Sequence, residues 1–224
     1  MKKIFALRKE LGSKRSNREQ TDRGPLREEL FSRDQLEKHA KEIAGCYQVD
    51  TRKGEDLLLP RLAENEQALL QTHKLLNTVI EENSPVSPAG EWLLDNFYLV
   101  EEQIRTARLH LPENYSKELP HLENGPLKGY PRVYHIAREL IAHSDGRIDT
   151  ENLFTFIDAY QQVTPLTLGE LWAIPIMFRL ALIENLRRVA DIISENRSDR
   201  DSAIYWVDRM TKMAQNDPKR LILV

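Results

Sequence analysis

Between Thr164 and Ala190 the chain reads TPLTLGELWAIPIMFRLALIENLRRVA, and no other stretch limits the possible folds as much. Thr167 and Glu170 have the spacing of a capping box, in which the hydroxyl accepts from the Glu170 amide while the carboxylate reaches back. From Leu168 onward the residues are helix formers, apolar on more than one face between Leu171 and Ile183. A helix of that kind is covered by neighbours on several sides. Its only charge in that span is Arg179, on the row Trp172, Ile176, Arg179, Ile183, Leu186. Pro175 removes the bond to the Leu171 carbonyl and predicts a kink. The apolar core is shorter than the about 20 residues that a bilayer crossing needs. The stretch therefore predicts the buried central helix, about 164–194, of an all-α multi-helix bundle.

The rest of the chain supplies helices to cover it. Ser32 and Gln35 form a second capping box, opening a helix with Leu36, Ala40 and Ile43 inward and Gly45 at its end. A long helix from about Glu55 to Glu82 repeats Leu62, Leu69 and Leu76 every seven residues, flanked by Leu59, Val79 and Ile80, with Pro60 in its first turns. Ser87 and Pro88 start a helix that runs to Leu111 on the seam Leu93, Phe97, Val100, Ile104, Ala107, Leu111. Residues 112–131 have no clear period, and so long an irregular stretch is either functional or a packed strap. Tyr130-Pro131 opens a helix to His143 with Val133, Ile136, Ala137 and Leu140 inward. Asp149 caps the next, which buries Leu153, Ile157 and Tyr160. Ser198 and Asp201 predict a separate last helix to Gln215, with Ala203, Trp206, Met210 and Met213 inward. After Asn216-Asp217-Pro218 a further helix stops within about a turn, so the C-terminal end reads as truncated, with apolar surface expected near Met210 to Val224. The expected organisation is a basic flexible tail, 1–25, and a helical module, 26–224.

Charge and composition narrow the function. A net charge of -3 argues against a whole surface that grips nucleic acid, so no nucleic-acid partner is expected. The tail carries Lys2, Lys3, Arg8, Lys9, Lys14, Arg15, Arg18 and Arg23, which suits an anionic membrane surface. A single cysteine, Cys46, forms no internal disulfide and is expected to be buried. The histidines make no i, i+4 pair and there is no cysteine pair, so no metal is expected. No dinucleotide or P-loop fingerprint appears, and no cofactor is expected. No catalytic residues are assigned, since Glu101 and Glu102 are adjacent and do not share a helical face. A ligand loop holding Lys128, Arg132 and Tyr115 is one candidate site, with turn formation as the plainer reading. The aromatic residues, Trp92, Tyr98 and Trp172 among them, are expected in the core. Arg179 is costly to bury alone and is expected to pair with Asp95 or Glu102 of the seam helix.

Several phrases stand out: DNFYLVEEQIR at Asp95 to Arg105, LPENY at Leu111 to Tyr115, and GPLKGYPRVY at Gly125 to Tyr134. They are followed by AYQQVTPLTLGELWAIP at Ala159 to Pro175 and ENLRR at Glu184 to Arg188. In this order they resemble the N-terminal region of the cyclic β-1,2-glucan synthases, very large bacterial inner-membrane glycosyltransferases, most strongly over 92–224. The resemblance implies a cytoplasmic helical region at the inner-membrane face. It would precede the transmembrane helices and a transferase domain using UDP-glucose, with a phosphorylase-like domain further on. No catalytic residue of that family maps onto this stretch. In that family growing glucan is carried on the protein, yet nothing here singles out a tyrosine acceptor. The expected function is a non-catalytic module whose partner is the remainder of the synthase polypeptide. A free-standing interaction module from a shortened gene is the alternative, and a small enzyme with a site in 112–131 is a third reading.

Overall fold

The computed structural model describes Leu26 and residues 28–216, and beyond Arg197 it describes the side chains of Ser202, Tyr205 and Val207 only. The basic tail, the inner face expected at Ala203 to Met213 and the apolar surface expected near Met210 to Val224 lie outside the described side chains.

Among the described residues seven helices pack together: α1 Arg33–Cys46, α2 Leu58–Glu81, α3 Pro88–Asp95, α4 Phe97–His110, α5 Arg132–His143, α6 Thr150–Gln161 and α7 Leu168–Asn216. The expected all-α bundle is what forms. α7 is its axis, packing against α2, α3, α4 and α5, while α1 packs on α6. Local chemistry explains the starts. The Ser32 hydroxyl accepts from the Gln35 amide and the Gln35 side chain accepts from the Ser32 amide, closing the box at α1. Ser87 and Asp149 cap α3 and α6. At α7 the Glu170 amide donates to Thr167 Oγ1 at 3.3 Å, and the Thr167 amide donates to Glu170 Oε2 at 2.8 Å.

Three expectations about helix extent change. The seam helix is two helices, α3 and α4, joined at Asn96, which is the C-cap of the first and the N-cap of the second. All six seam residues are still buried, because the break keeps Leu93 and Phe97 on the inner side. The last helix does not restart at Ser198. The backbone of α7 runs unbroken through it to Asn216, since serine inside a helix costs only a fraction of a kcal/mol, about 0.5. Pro175 likewise lies within α7 without ending it. On α2 the leucines 62, 69 and 76 are buried as the seven-residue repeat requires, whereas Ile80 is exposed.

Residues 112–131 form a packed strap. A 3-10 turn at Tyr115–Glu118 leads into β2 His121–Leu122, which pairs antiparallel with β1 Val49–Asp50, Val49 opposite Leu122 and Asp50 opposite His121. These two short strands are the whole sheet content of the described residues. Gly125 and Gly129 adopt φ of 82° and 86°, and a Cβ at Gly125 would stand 2.4 Å from the Tyr47 ring. The strap thus turns back on itself, with the Gly129 amide donating to the Leu122 carbonyl at 2.8 Å.

The aromatic expectation is overturned at three positions. Trp92, Tyr98 and Trp172 are exposed, Trp172 with 76% of its surface open. Trp92 and Tyr98 lie off the buried rows of α3 and α4, whereas Trp172 shares a row with buried Ile176 and Ile183 but sits in the first turns of α7, where it is left uncovered. Cys46 is also exposed at the end of α1, where the helix runs out of partners.

Candidate functional site

Of the polar side chains proposed as a ligand loop, Tyr115 and Arg132 both reach the start of α7, at Gly169 and Glu170, and Lys128 does not join them. Arg132, at the first position of α5, is buried and forks onto Glu170 of α7, Nε to Oε1 and Nη2 to Oε2, the latter at 2.8 Å. Its Nη2 also donates to the Pro165 carbonyl at 2.8 Å. The guanidinium is therefore turned inward and committed to the bundle. Tyr115 donates its hydroxyl to the Gly169 carbonyl at 3.2 Å, and Lys128 stands apart on the surface of the strap. Lys128 lines a shallow cleft of about 510 Å³ with Asp50, Arg52, Gly54 and His121, and neither Tyr115 nor Arg132 reaches it.

Arg179 lies half-buried against α4, as its row implies, but not on a carboxylate. Its Nε donates to Gln103 Oε1 at 3.1 Å, and Nη1 lies 3.4 Å from His110 Nδ1. Gln103 and His110 are two turns apart on the flank that faces α7. Glu102 is rotated about 100° away from Gln103 on the helix, and Asp95 belongs to α3, before the break at Asn96.

The charge centre of the bundle is Glu184 of α7, a residue with none of its surface open. Arg61 of α2 grips it with two bonds, Nε to Oε2 at 3.0 Å and Nη2 to Oε1 at 3.1 Å. Tyr134 of α5, fully buried, donates to Oε2 at 2.7 Å. Arg188, one turn further along α7, donates to Oε1 at 3.0 Å, and Arg138 of α5 stands 3.6 Å from the same oxygen. One carboxylate therefore ties three helices. Burial by itself would raise its pKa, but the Arg61 bonds, the charges of Arg61 and Arg138 and the Tyr134 hydroxyl hold it at about 2. Burial pushes Arg188 down to about 10, partly offset by Asp191. In the sequence Glu184 stands out only as part of a phrase. Its one local signal is Arg188 four residues on.

Because the folded pKa of Glu184 is depressed below its ordinary 4.5, the stabilisation it gives is complete above that value. It is lost as pH falls from 4.5 toward 2. Melting temperatures measured across that range are expected to fall, and Glu184→Gln is expected to flatten the fall.

A second polar cluster lies where α1 meets α5. His39 Nε2 is 2.8 Å from Glu139 Oε2, and His143 Nε2 is 3.9 Å from the same oxygen and 3.4 Å from Glu28 Oε2. His135 Nε2 stands 3.4 Å from the other oxygen, Oε1. Burial lowers the His135 pKa, against the opposing pull of Glu139. Burial would raise Glu139, yet the His39 bond and the neighbouring imidazoles bring it down. One atom each from His39, Glu139 and His143 lies within 4.8 Å of the other two, a spacing that a metal ion could bridge. The i, i+4 test on histidines alone missed it, because the helical repeat is His135, Glu139, His143 and the remaining imidazole comes from another helix.

At the end of the bundle where Tyr115 of the strap reaches Gly169, the N-terminus of α7 is open on one side. Two large apolar side chains are open there: Leu168 at 65% and Trp172 at 76%. Leu168 and Trp172 are one turn apart and form a continuous stripe. No helix among the described residues is long and apolar enough to cross a membrane.

No protein-family model matches the chain. Among curated proteins it is similar to the cyclic beta-(1,2)-glucan synthase NdvB of Rhizobium meliloti (strain 1021), with 34% identity over 167 residues. That alignment takes in 73% of this chain but only 6% of the relative. It is longer than Trp92 to Val224, so the likeness also takes in residues upstream of Trp92. The helical unit gathered on Glu184 and Glu170 is thus a homologue of a small region of the cyclic β-(1,2)-glucan synthase NdvB.

Proposed function

We propose that the chain acts as a non-catalytic helical module of a cyclic β-1,2-glucan synthase-like membrane glycosyltransferase. It docks against the remainder of that polypeptide at the cytoplasmic face of the inner membrane. The parent activity is glucosyl transfer from UDP-glucose. The observation that carries this reading is the 34% identity to one small region of a much longer synthase. Two features of the bundle support it. Its buried carboxylates, Glu170 and Glu184, are committed to arginines rather than held for proton transfer. The stripe Leu168 and Trp172 is an exposed apolar surface of the kind that marks an interaction site. The basic residues of Met1 to Pro25 would add attraction to anionic lipid, about 1 kcal/mol for each one near the surface.

The test is a chimera in which this chain replaces the matched region of NdvB, with cyclic glucan formed from UDP-glucose in membranes as the readout. The chimera is expected to make glucan, and the same protein lacking the region is not. Leu168→Glu with Trp172→Glu should lower the yield about tenfold, the equivalent of about 1.4 kcal/mol of docking energy. The same pair of substitutions should leave the melting temperature of the isolated chain within a few degrees, because both side chains are already open. Full synthesis without the region, or undiminished synthesis with both glutamates, would show that the module does not dock as proposed.

A further inference from the structure

The geometry points to a divalent transition-metal site, best suited to Zn2+, formed by His39 of α1 and Glu139 and His143 of α5, with the exposed side chain of Glu28, 3.4 Å from His143 Nε2, swinging in as the fourth ligand. Tetrahedral zinc with bonds of about 2.05 Å sets its ligand atoms about 3.3 Å apart. The spacings found here straddle that value: 2.8 and 3.9 Å from Glu139 Oε2 to the two imidazoles, and 3.4 Å from His143 Nε2 to Glu28. Two imidazoles and two carboxylates are the donor set that zinc accepts and that calcium or magnesium does not seek.

The groups that would orient the ligands are already in place. His143 Nδ1 donates to the Glu29 carbonyl at 2.8 Å, which fixes the ring orientation and turns Nε2 toward the carboxylates of Glu28 and Glu139. That Nε2 is buried within a side chain only 4% open, and no hydrogen-bond donor meets it. An ion pair between His39 and Glu139 would explain their contact, but it leaves His143 Nε2 without a hydrogen-bond partner, a costly arrangement in a protein interior. A cation between the four groups resolves it. Phe31 stacks flat on His143 at 3.8 Å and edge-on to His39 at 5.3 Å, so both rings are held in orientation. His135, 3.4 Å behind Glu139 Oε1, stands where it can orient the carboxylate.

The ion would staple three parts of the chain. The segment before α1 is joined to α5 by the Glu28 amide donating to the Ala142 carbonyl and the Phe31 amide donating to that of His143. Metal would add His39 and Glu28 to that junction. Binding replaces the His39–Glu139 hydrogen bond, and His39 then carries its ring proton on Nδ1, leaving Nε2 to the metal.

The experiment uses the full chain, stripped with a chelator and titrated with zinc chloride, and with cobalt chloride as a spectroscopic probe. The expected result is one equivalent bound, a melting temperature that rises until that equivalent is reached, and the visible d–d absorption of tetrahedral cobalt. Losing an outer-shell partner of a metal site costs about 10–100-fold in affinity. His39→Gln and His143→Gln, each removing a direct ligand, should therefore cost about 100-fold or more. Glu28→Gln, at an exposed side chain that does not hold the core, should weaken binding without altering the metal-free melting temperature. Cys46→Ser should bind as the parent does. A folded chain that gives neither a cobalt band nor a zinc-dependent melting shift would overturn the assignment. So would full-strength binding in the Glu28 variant together with either histidine variant.

Discussion

Replacing Glu184 by glutamine is expected to lower stability by about 3–5 kcal/mol, the cost of removing one partner from a buried ion pair. For a chain of this size that corresponds to a fall of roughly 10 °C or more in melting temperature. Glutamine keeps the shape, and its carbonyl can still accept from Tyr134. What goes is the negative charge that faces Arg61, Arg138 and Arg188. These cations come from α2, α5 and α7, so the loss is felt wherever those helices meet. A double-mutant cycle with Arg61→Met separates the pair from its surroundings. If the bidentate contact carries the effect, Arg61→Met will cost much less in a chain already carrying Glu184→Gln than in the parent. A fall of under about 3 °C for Glu184→Gln would mean that the bundle does not depend on this carboxylate.

Arg132→Ala comes next in size, at about 3–4 kcal/mol. It strands Glu170, which has no open surface and keeps only its bonds to Thr167. The same substitution also frees the Pro165 carbonyl and unfastens α5 from the start of α7. Lys128→Ala is the control. Its side chain is on the surface of the strap and should change stability by no more than about 0.5 kcal/mol. Thermal unfolding of the two variants side by side distinguishes a structural arginine from a phosphate ligand. A ligand pair would leave both variants stable and reduce binding of inorganic phosphate in both. Equal melting temperatures for the two variants would remove the structural role assigned to Arg132.

Most of the buried network falls within the resembling phrases. Phrases that pointed to the glucan synthases contain the residues on which the bundle is fastened: Arg132 and Tyr134 in GPLKGYPRVY, Glu170 in AYQQVTPLTLGELWAIP, and Glu184 and Arg188 in ENLRR. Each makes contacts that set how helices sit against one another rather than forming an open site.

What the sequence determined by itself was local. The capping boxes at Ser32 and Thr167, the caps at Ser87 and Asp149, the inward leucines of α2 and the six seam residues were all legible, because a cap or a helical face is settled within a few residues. Their failures were local ties: Asn96 divided a helix that the seam carried across, and Ser198 did not divide one that its spacing suggested. Only the tertiary structure decided which charges meet. Arg132 finds Glu170 across 38 residues, Arg179 finds Gln103 across 76, His39 finds Glu139 across 100 and Arg61 finds Glu184 across 123. An isolated arginine announces that it needs a partner when buried, since the desolvated charge is too costly to leave alone. It does not announce which one, because that depends on the angle and register at which two helices pack, and those are fixed by the whole core at once.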